Sequence, residues 1–383
     1  MLKVYKYRIY PDEGQEKLLL KTFGSCRFIY NWALDFKTKR YQQYGDNVSR
    51  FELSKIVTFF KTTEERSWLS EVNSQSLQAE LRHLETAFTN FFRNNTRYPA
   101  FKKKGRKQSF ECPQNVTIDF ETKIVKLPKL GEIKYRDKRK FKGKIKTCTV
   151  SKKTDRYFMS ILVDNGIPLP NKQPIDPKTS VGIDVGLTHF ATLSDGTKVE
   201  NPRILRKHET NLKTQQRRLS RQKKFSQNWK KQKARIAKLH QKISDSRSDF
   251  LHKLSTDMVK NHDSIFIEDL NVKGMLKNHC LAKSISDAAW SEFFRQLVYK
   301  SEWGGKNLIE IGRFEPSSRL CDCGEINHDL KLSDRNWICK NCGLKHDRDT
   351  QAARNIKKMG LMKGKYNTGR DTASVPVETS QCL

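Results

Sequence analysis

Long apolar runs are missing from this chain. No stretch approaches the roughly 18 apolar residues of a membrane-spanning helix. The opening Met-Leu-Lys-Val-Tyr-Lys-Tyr-Arg-Ile-Tyr alternates like a strand and lacks the apolar centre of a signal peptide. Both absences lead us to expect a cytoplasmic protein with no membrane partner. Acidic residues are scarce as well: 42 Asp and Glu face 75 Lys and Arg, a formal net charge of +33. Such an imbalance predicts a polyanionic partner and says little about fold. Cysteine is not scarce, but disulfides are disfavoured in a reducing compartment. Cys321, Cys323, Cys339 and Cys342 cluster in sequence and therefore point to a metal. Cys26, Cys112, Cys148, Cys280 and Cys382 read as isolated thiols of the core or tail.

At 383 residues the chain should hold two or three domains. Residues 1–10 read as a strand closed by Pro11, and residues 15–92 carry apolar positions at helical spacing. From about 108 to 165 the pattern turns to strands, notably Ile124-Val-Lys-Leu and Tyr157-Phe-Met-Ser-Ile-Leu-Val. A small β-barrel split by a helical insert is the simplest account, with 1–10 and 105–170 as barrel and 11–104 as insert. The proline-rich stretch after Gly166 then marks a boundary. An α/β domain opens near Thr179, where two strands and the turn Asp195-Gly196 read as a hairpin. Residues 203–273 contain neither Gly nor Pro, which permits long helices. Residues 284–302 read as one amphipathic helix with Trp290, Phe293, Phe294, Leu297 and Val298 inward. Residues 361–383 read as a polar, disordered tail.

Three acids stand in distinctive settings. Asp184 ends the apolar strand Ser180-Val-Gly-Ile-Asp, Glu268 ends Ser264-Ile-Phe-Ile-Glu, and Asp349 opens a helix in His346-Asp-Arg-Asp-Thr-Gln-Ala-Ala. A carboxylate at a strand's carboxyl end suits a ligand site better than a core. Each acid also has a plain structural reading: a turn Asp beside Gly186, an exposed strand end, a helix cap. Asp269 and Asp347 compete with Glu268 and Asp349. Two strand acids and a helix acid can converge on two metal ions and cut nucleic acid, so the set predicts a metal-dependent nuclease.

Gly182-Ile-Asp-Val-Gly-Leu, Phe266-Ile-Glu-Asp-Leu, the cysteine cluster and Asp347-Arg-Asp-Thr-Gln-Ala-Ala-Arg-Asn-Ile resemble the split nuclease of the TnpB family, whose members are transposon-encoded RNA-guided DNA endonucleases related to the type V CRISPR effectors. The resemblance extends to Tyr5-Lys-Tyr-Arg-Ile-Tyr-Pro, Arg27-Phe-Ile-Tyr-Asn-Trp-Ala, Ser67-Trp-Leu-Ser-Glu-Val, Leu127-Pro-Lys-Leu-Gly and Leu281-Ala-Lys-Ser-Ile-Ser-Asp-Ala, nearly the whole chain to about residue 360. It implies an RNase H-like (RuvC) core over 179–312 and 346–360 with a zinc finger inserted at 313–345. It also implies that Asp184, Glu268 and Asp349 are catalytic and hold two Mg²⁺ ions, with Asp184 bridging. Two positions depart from the family pattern: Gln351 stands where Asn is usual, and Ala289 where Gly is frequent. The pair Cys321-Asp-Cys323 is one residue short of the usual Cys-x-x-Cys. A structural Zn²⁺ on Cys321, Cys323, Cys339 and Cys342 is still expected, with His328 and His346 as possible substitutes.

Residues 207–243 carry thirteen Lys or Arg and one Glu, a helix face that repels itself without counter-charges. Lys102, Lys103 and Lys104 and then Arg217, Arg218, Arg221, Lys223 and Lys224 are accordingly expected on phosphates. The resemblance implies a guide RNA from the transposon end (ωRNA), a double-stranded DNA target, a monomer bound to RNA and a prokaryotic cytoplasm. It also implies that a short flanking DNA motif is read, for which Ser74 and Gln78, one helical turn apart, occupy the matching stretch. The rival expectation is an RNA-guided repressor that binds without cutting. A third, a DNA transposase, would rejoin ends, but no tyrosine-nucleophile motif is evident.

Overall fold

The computed structural model describes residues 1–331 and 333–367, which fall into two units, Met1–Pro168 and a second beginning at Leu169. In the first unit β1 (Leu2–Tyr10) leads through Pro11 into α1 (Glu13–Tyr44). Asp12 starts that helix by accepting from Gln15 N at 2.8 Å while Gln15 Oε1 accepts from Asp12 N at 3.1 Å, a reciprocal cap. Gly45 ends it at φ 70°, where glycine carries no Cβ penalty. Then come α2 (Arg50–Phe60), a 3₁₀ turn over Glu64–Glu71, and α3 (Ser74–Phe92), started by Asn73.

Six strands follow: β2 (Gln108–Cys112), β3 (Thr117–Asp119), β4 (Ile124–Leu127), β5 (Gly131–Arg136), β6 (Lys144–Lys153) and β7 (Arg156–Asp164). With β1 they pair in the order β2-β6-β7-β1-β5-β4-β3, all antiparallel. This corrects the expected barrel. The series ends at β2 and β3, and among the described residues no ladder joins those two edges. The three-residue β3 is too short to carry closure. The helices are not a separate body either: Phe23, Ile29 and Leu77 share one core with Tyr7, Phe110 and Met159 of the sheet.

The second unit is built on a five-stranded sheet of order β10-β9-β8-β11-β12. Here β8 is Ser180–Val185, β9 His189–Leu193 and β10 Lys198–Glu200. Two hairpins occur where one was expected, because β9 pairs with β8 as well as with β10. The Gly- and Pro-free stretch forms α4 (Ile204–Ser220) and α5 (Gln227–Asn261), and β11 (Ser264–Glu268) follows. After the short α6 (Val272–Met275), α7 (Ala282–Ala288) and α8 (Trp290–Gly304) lead to β12 (Asn307–Ile311). The single helix expected over 284–302 is broken at Ala289, whose φ of 57° and ψ of 45° are left-handed and suit glycine better. Val298, expected inward, is exposed. The hairpin β13 (Asn336–Ile338) and β14 (Lys345–Asp347) precedes α9 (Arg348–Asn367). That helix continues seven residues into the expected tail; the remaining tail, with Cys382, lies outside the described residues. No helix among the described residues is long and apolar enough to cross a membrane.

Strand alternation sorts the two faces of this sheet. Val181, Ile183, Ile265 and Ile267 face the core formed with α5 and α8, through Leu251, Met258, Phe293 and Leu297. Phe266 faces α9 through Ile356 and Met359. Gly182 makes a very close approach: a Cβ there would lie 2.1 Å from the Ala353 carbonyl oxygen. At Gly360 on the helix side, a Cβ would lie 2.1 Å from the Phe266 ring. Two glycines therefore let α9 lie directly on β8 and β11.

Candidate active site and cysteine cluster

This packing carries the three acids to one place. Asp184 lies two residues beyond Gly182 and Glu268 two beyond Phe266, so both carboxylates project to the α9 face. β8 and β11 run parallel with Ile183 opposite Ile267, which sets the two acids side by side at the strands' carboxyl ends. On α9, Asp349 lies four residues, one turn, before the Ala353 that rests on Gly182. Asp184, Glu268 and Asp349 accordingly line one cavity of about 420 Å³.

The competing acids are occupied elsewhere. Asp347 accepts from Thr350 N at 2.9 Å and pairs with Lys198 at 2.7 Å, so Asp347 is the helix cap and Asp349 is not. Asp269 is held by Arg313 at 2.7 Å. Burial, followed by the charges of Asp349 and Glu268, pushes Asp184 up to about 8 against the opposing Arg348 and Arg335. Burial and then Asp269 also raise Glu268. Crowded carboxylates with hard oxygen donors form a set that divalent cations satisfy, and Mg²⁺ fits it.

Sequence reasoning missed the cations around this cavity. Arg313, Arg319, Arg335 and Arg348 line it together with Phe314. Arg335 donates to both Asp349 oxygens at 3.3 and 3.4 Å and to Thr188 Oγ1 at 3.2 Å. Arg348 sits inside the Asp-Arg-Asp motif and was open to notice; Arg335, in the segment between the cysteine pairs, carried no signal.

Cys321, Cys323, Cys339 and Cys342 bring their sulfurs within 4.8 Å of one another, so the short Cys-x-Cys half completes the cluster. Four such sulfurs fit a tetrahedral Zn²⁺. The Glu325 backbone N–H holds Cys323 down to about 7, nearer the thiolate that a metal needs. His346 Nε2 lies 3.1 Å from Cys321 Sγ, and its Nδ1 lies 3.1 Å from Gln351 Oε1. His346 thus meets the cluster as a neighbour of one sulfur, while His328 is exposed and outside it. Gln351 also donates to Asp322 Oδ1 at 2.9 Å, joining the cysteine segment to α9 two residues from Asp349.

The expected nucleic-acid residues divide. Lys103, Lys104, Arg217, Arg218, Arg221, Lys223 and Lys224 are exposed. Lys102 bonds the buried Glu80 and lies 4.3 Å over the Tyr30 ring. Ser74 accepts from Lys61 at 2.6 Å and Gln78 from Ser54 at 2.8 Å, so Gln78 keeps its amide N–H groups for other partners.

A mixed sheet carrying two strand acids beneath a helix acid, with a four-cysteine ribbon leading into that helix, defines a class of fold that known structures share. The chain is similar over 93% of its length to 98% of a chain in the cryo-EM structure of the Cas12f1-sgRNA-target DNA complex, at a TM-score of 0.55 and 12% identity. It is also similar to the mini-RNA-guided endonuclease CRISPR-Cas_phi3, over 94% and 92% of the two chains at a TM-score of 0.51 and 10% identity. Family profiles match residues 150–279 (OrfB_IS605, "Probable transposase"), 1–46 (HTH_OrfB_IS605, a helix-turn-helix domain) and 290–356 (the Cas12f1-like TNB domain). Across 1–46 the structure itself is one strand and one unbroken helix.

A Streptomyces pristinaespiralis protein named as a candidate RNA-guided DNA endonuclease is 40% identical over 94% of this chain and 89% of its own length. InsQ of Escherichia coli K12, named likewise, is 35% identical over 99% and 98%. TnpB-like protein L770 of Acanthamoeba polyphaga mimivirus is 23% identical over 93% and 73%. The chain belongs to the TnpB family.

Proposed function

We propose that this chain is an RNA-guided DNA endonuclease that makes double-strand breaks at guide-complementary targets beside a short flanking motif. The observation that carries the reading is the convergence of Asp184, Glu268 and Asp349 in one cavity, with Asp269 and Asp347 engaged elsewhere. Two Mg²⁺ ions would be held by Asp184, Glu268 and Asp349; such ions supply activation of water and stabilisation of a departing 3′ oxygen. The protein's own part is positional. β8 and β11 fix two acids in register, α9 sets the third above them, and Arg319, Arg335 and Arg348 give the cavity wall a charge complementary to a phosphodiester. In the hydrolysis a water oxygen forms the new bond to phosphorus and the P–O3′ bond breaks, the 3′ oxygen leaving with a proton.

Zn²⁺ on Cys321, Cys323, Cys339 and Cys342 would be structural, since four sulfurs leave no open position. The guide would be an RNA from the transposon end, bound by a monomer. Exposed Lys103, Lys104, Arg217, Arg218, Arg221, Lys223 and Lys224 offer phosphate contacts, and the N–H groups of Gln78 suit a base edge. The alternative, an RNA-guided repressor, is disfavoured by the complete acid set. The test is plasmid cleavage in Mg²⁺ by the protein co-purified with its transposon-end RNA, using a randomised flank beside a guide-matched target. Guide-dependent double-strand cuts with one enriched flank are expected; tight guide-dependent binding with no cut would establish the repressor instead.

A further inference from the structure

Phe314 lines the cavity of Asp184, Glu268 and Asp349 and is 94% exposed. Among the described residues its ring meets no other ring and no cation. The three other described aromatics that are more than 70% exposed are partnered: Phe225 lies 5.6 Å from Trp229, Phe92 lies 5.2 Å from Phe91, and Arg50 lies 5.2 Å over Phe51. Among the described residues Phe314 has no packing role, and its apolar surface faces water at the rim of a charged site.

The loop that presents this ring is fixed from both ends. On one side Arg313 bonds Asp269 Oδ2 at 2.7 Å and the Asp269 carbonyl at 3.3 Å. On the other, the buried Asn355 of α9 donates to the Ser317 and Leu320 carbonyls at 2.7 Å each. Between them Glu315 N bonds Gly312 O at 3.3 Å and Ser317 N bonds Glu315 O at 2.7 Å, a tight turn with Phe314 at its corner. Holding an exposed aromatic in this way forgoes the gain of burial and yields no internal contact. The arrangement makes sense when a flat apolar partner arrives from outside.

We infer that Phe314 stacks on a nucleobase of the DNA strand in the cavity, at the nucleotide next to the phosphodiester that is cut. The inference rests on the nuclease reading of the cavity. Arg319, Arg335 and Arg348 on the same wall match a phosphate backbone, and the ring beside them matches a base, which together describe one strand threaded past the acids. Every base offers a π face, so the contact sets the register of the strand without selecting sequence. Phe314 would act as a substrate-positioning contact.

The test measures single-turnover cleavage by the RNA-loaded protein in Mg²⁺ on targets carrying one abasic site at successive positions around the cut. For the wild type, one abasic position should slow cleavage about 10-fold, on the scale of one lost base–aromatic stack. Phe314→Ala should slow cleavage of intact DNA by about the same factor and lose nothing more at that position, while Phe314→Trp restores the wild-type rate. Target binding without Mg²⁺ and melting temperature should stay at wild-type values, because the ring lies outside the hydrophobic cores and its proposed partner is only the nucleotide at the cut. Wild-type rates for Phe314→Ala, or the same extra loss at every abasic position in both proteins, would overturn the stacking role while leaving the nuclease intact. A wild-type complex that binds its target and cuts nothing would overturn the nuclease reading, and this inference with it.

Discussion

Lys102 and Lys103 are adjacent and chemically identical, and only the first has a buried partner. The Lys102 ammonium bonds Glu80, whose side chain is 2% exposed, while Lys103 projects into water. Removing Lys102 strands a buried carboxylate, with His83 Nδ1 left 3.6 Å away as its nearest cation. Lys102→Ala should therefore destabilise the protein by about 2 kcal/mol, below the full range for buried pairs because the lysine end is partly exposed. Lys103→Ala should leave denaturant unfolding unchanged and weaken RNA binding instead. A basic run in a sequence looks uniform, since charge is visible there and burial of the partner is not. The acids were more legible because alternation along two short apolar strands dictates which side chains share a face. Arg335 was not, since it reaches Asp349 only through the path of the cysteine segment.

At the scale of elements, α9 and the cysteine segment act together. α9 lies on the sheet through Gly182 and Gly360, and Gln351 ties its first turn to Asp322 and His346. Zinc release should therefore loosen the segment that sets Asp349. The protein should carry about one zinc per chain by metal analysis. Cys339→Ser should lose it and lower cleavage more than RNA binding; full zinc content in that variant would contradict the four-cysteine site.

A second clamp joins α3 to β2 and β6. Glu111 accepts from Arg82 at 2.7 Å, His83 at 2.9 Å and Thr147 at 2.8 Å. Burial alone would lower His83, but the hydrogen bonds and charges of Glu111 and Glu80 outweigh it and hold His83 up at about 9. Burial opposes charge in Glu111 too, and its partners hold it down at about 2. The His83 contribution is fully present below its ordinary value of 6.5 and is lost as pH rises through 9. The Glu111 contribution is present above 4.5 and is lost as pH falls toward 2. Stability should thus fall between pH 7 and 9.5 by about 2 kcal/mol, and His83→Gln should flatten that decline in thermal melts. The sequence pattern located the two strands that carry the acids and the long helices after them, but not β12 or the hairpin of β13 and β14. It did not show that the first sheet stays open, because closure depends on whether edge strands meet, nor that Ala289 adopts a left-handed conformation that breaks a continuous amphipathic pattern.

For the whole molecule, a formal net charge of +33 and a carboxylate cavity are complementary features. A positive surface of this size would gather nucleic acid at long range, and the cavity brings together the three acids proposed to carry phosphodiester hydrolysis. If those roles are separate, they should separate by mutation. The most direct measurement compares wild type and Asp184→Ala, each loaded with the same guide RNA, for cleavage of a matched plasmid in Mg²⁺ and for target binding without it. The account predicts that Asp184→Ala loses cleavage by at least about 10³-fold, the scale of several kcal/mol of lost metal-ion charge stabilisation, and keeps wild-type affinity for the target. Cleavage by Asp184→Ala at the wild-type rate would contradict it.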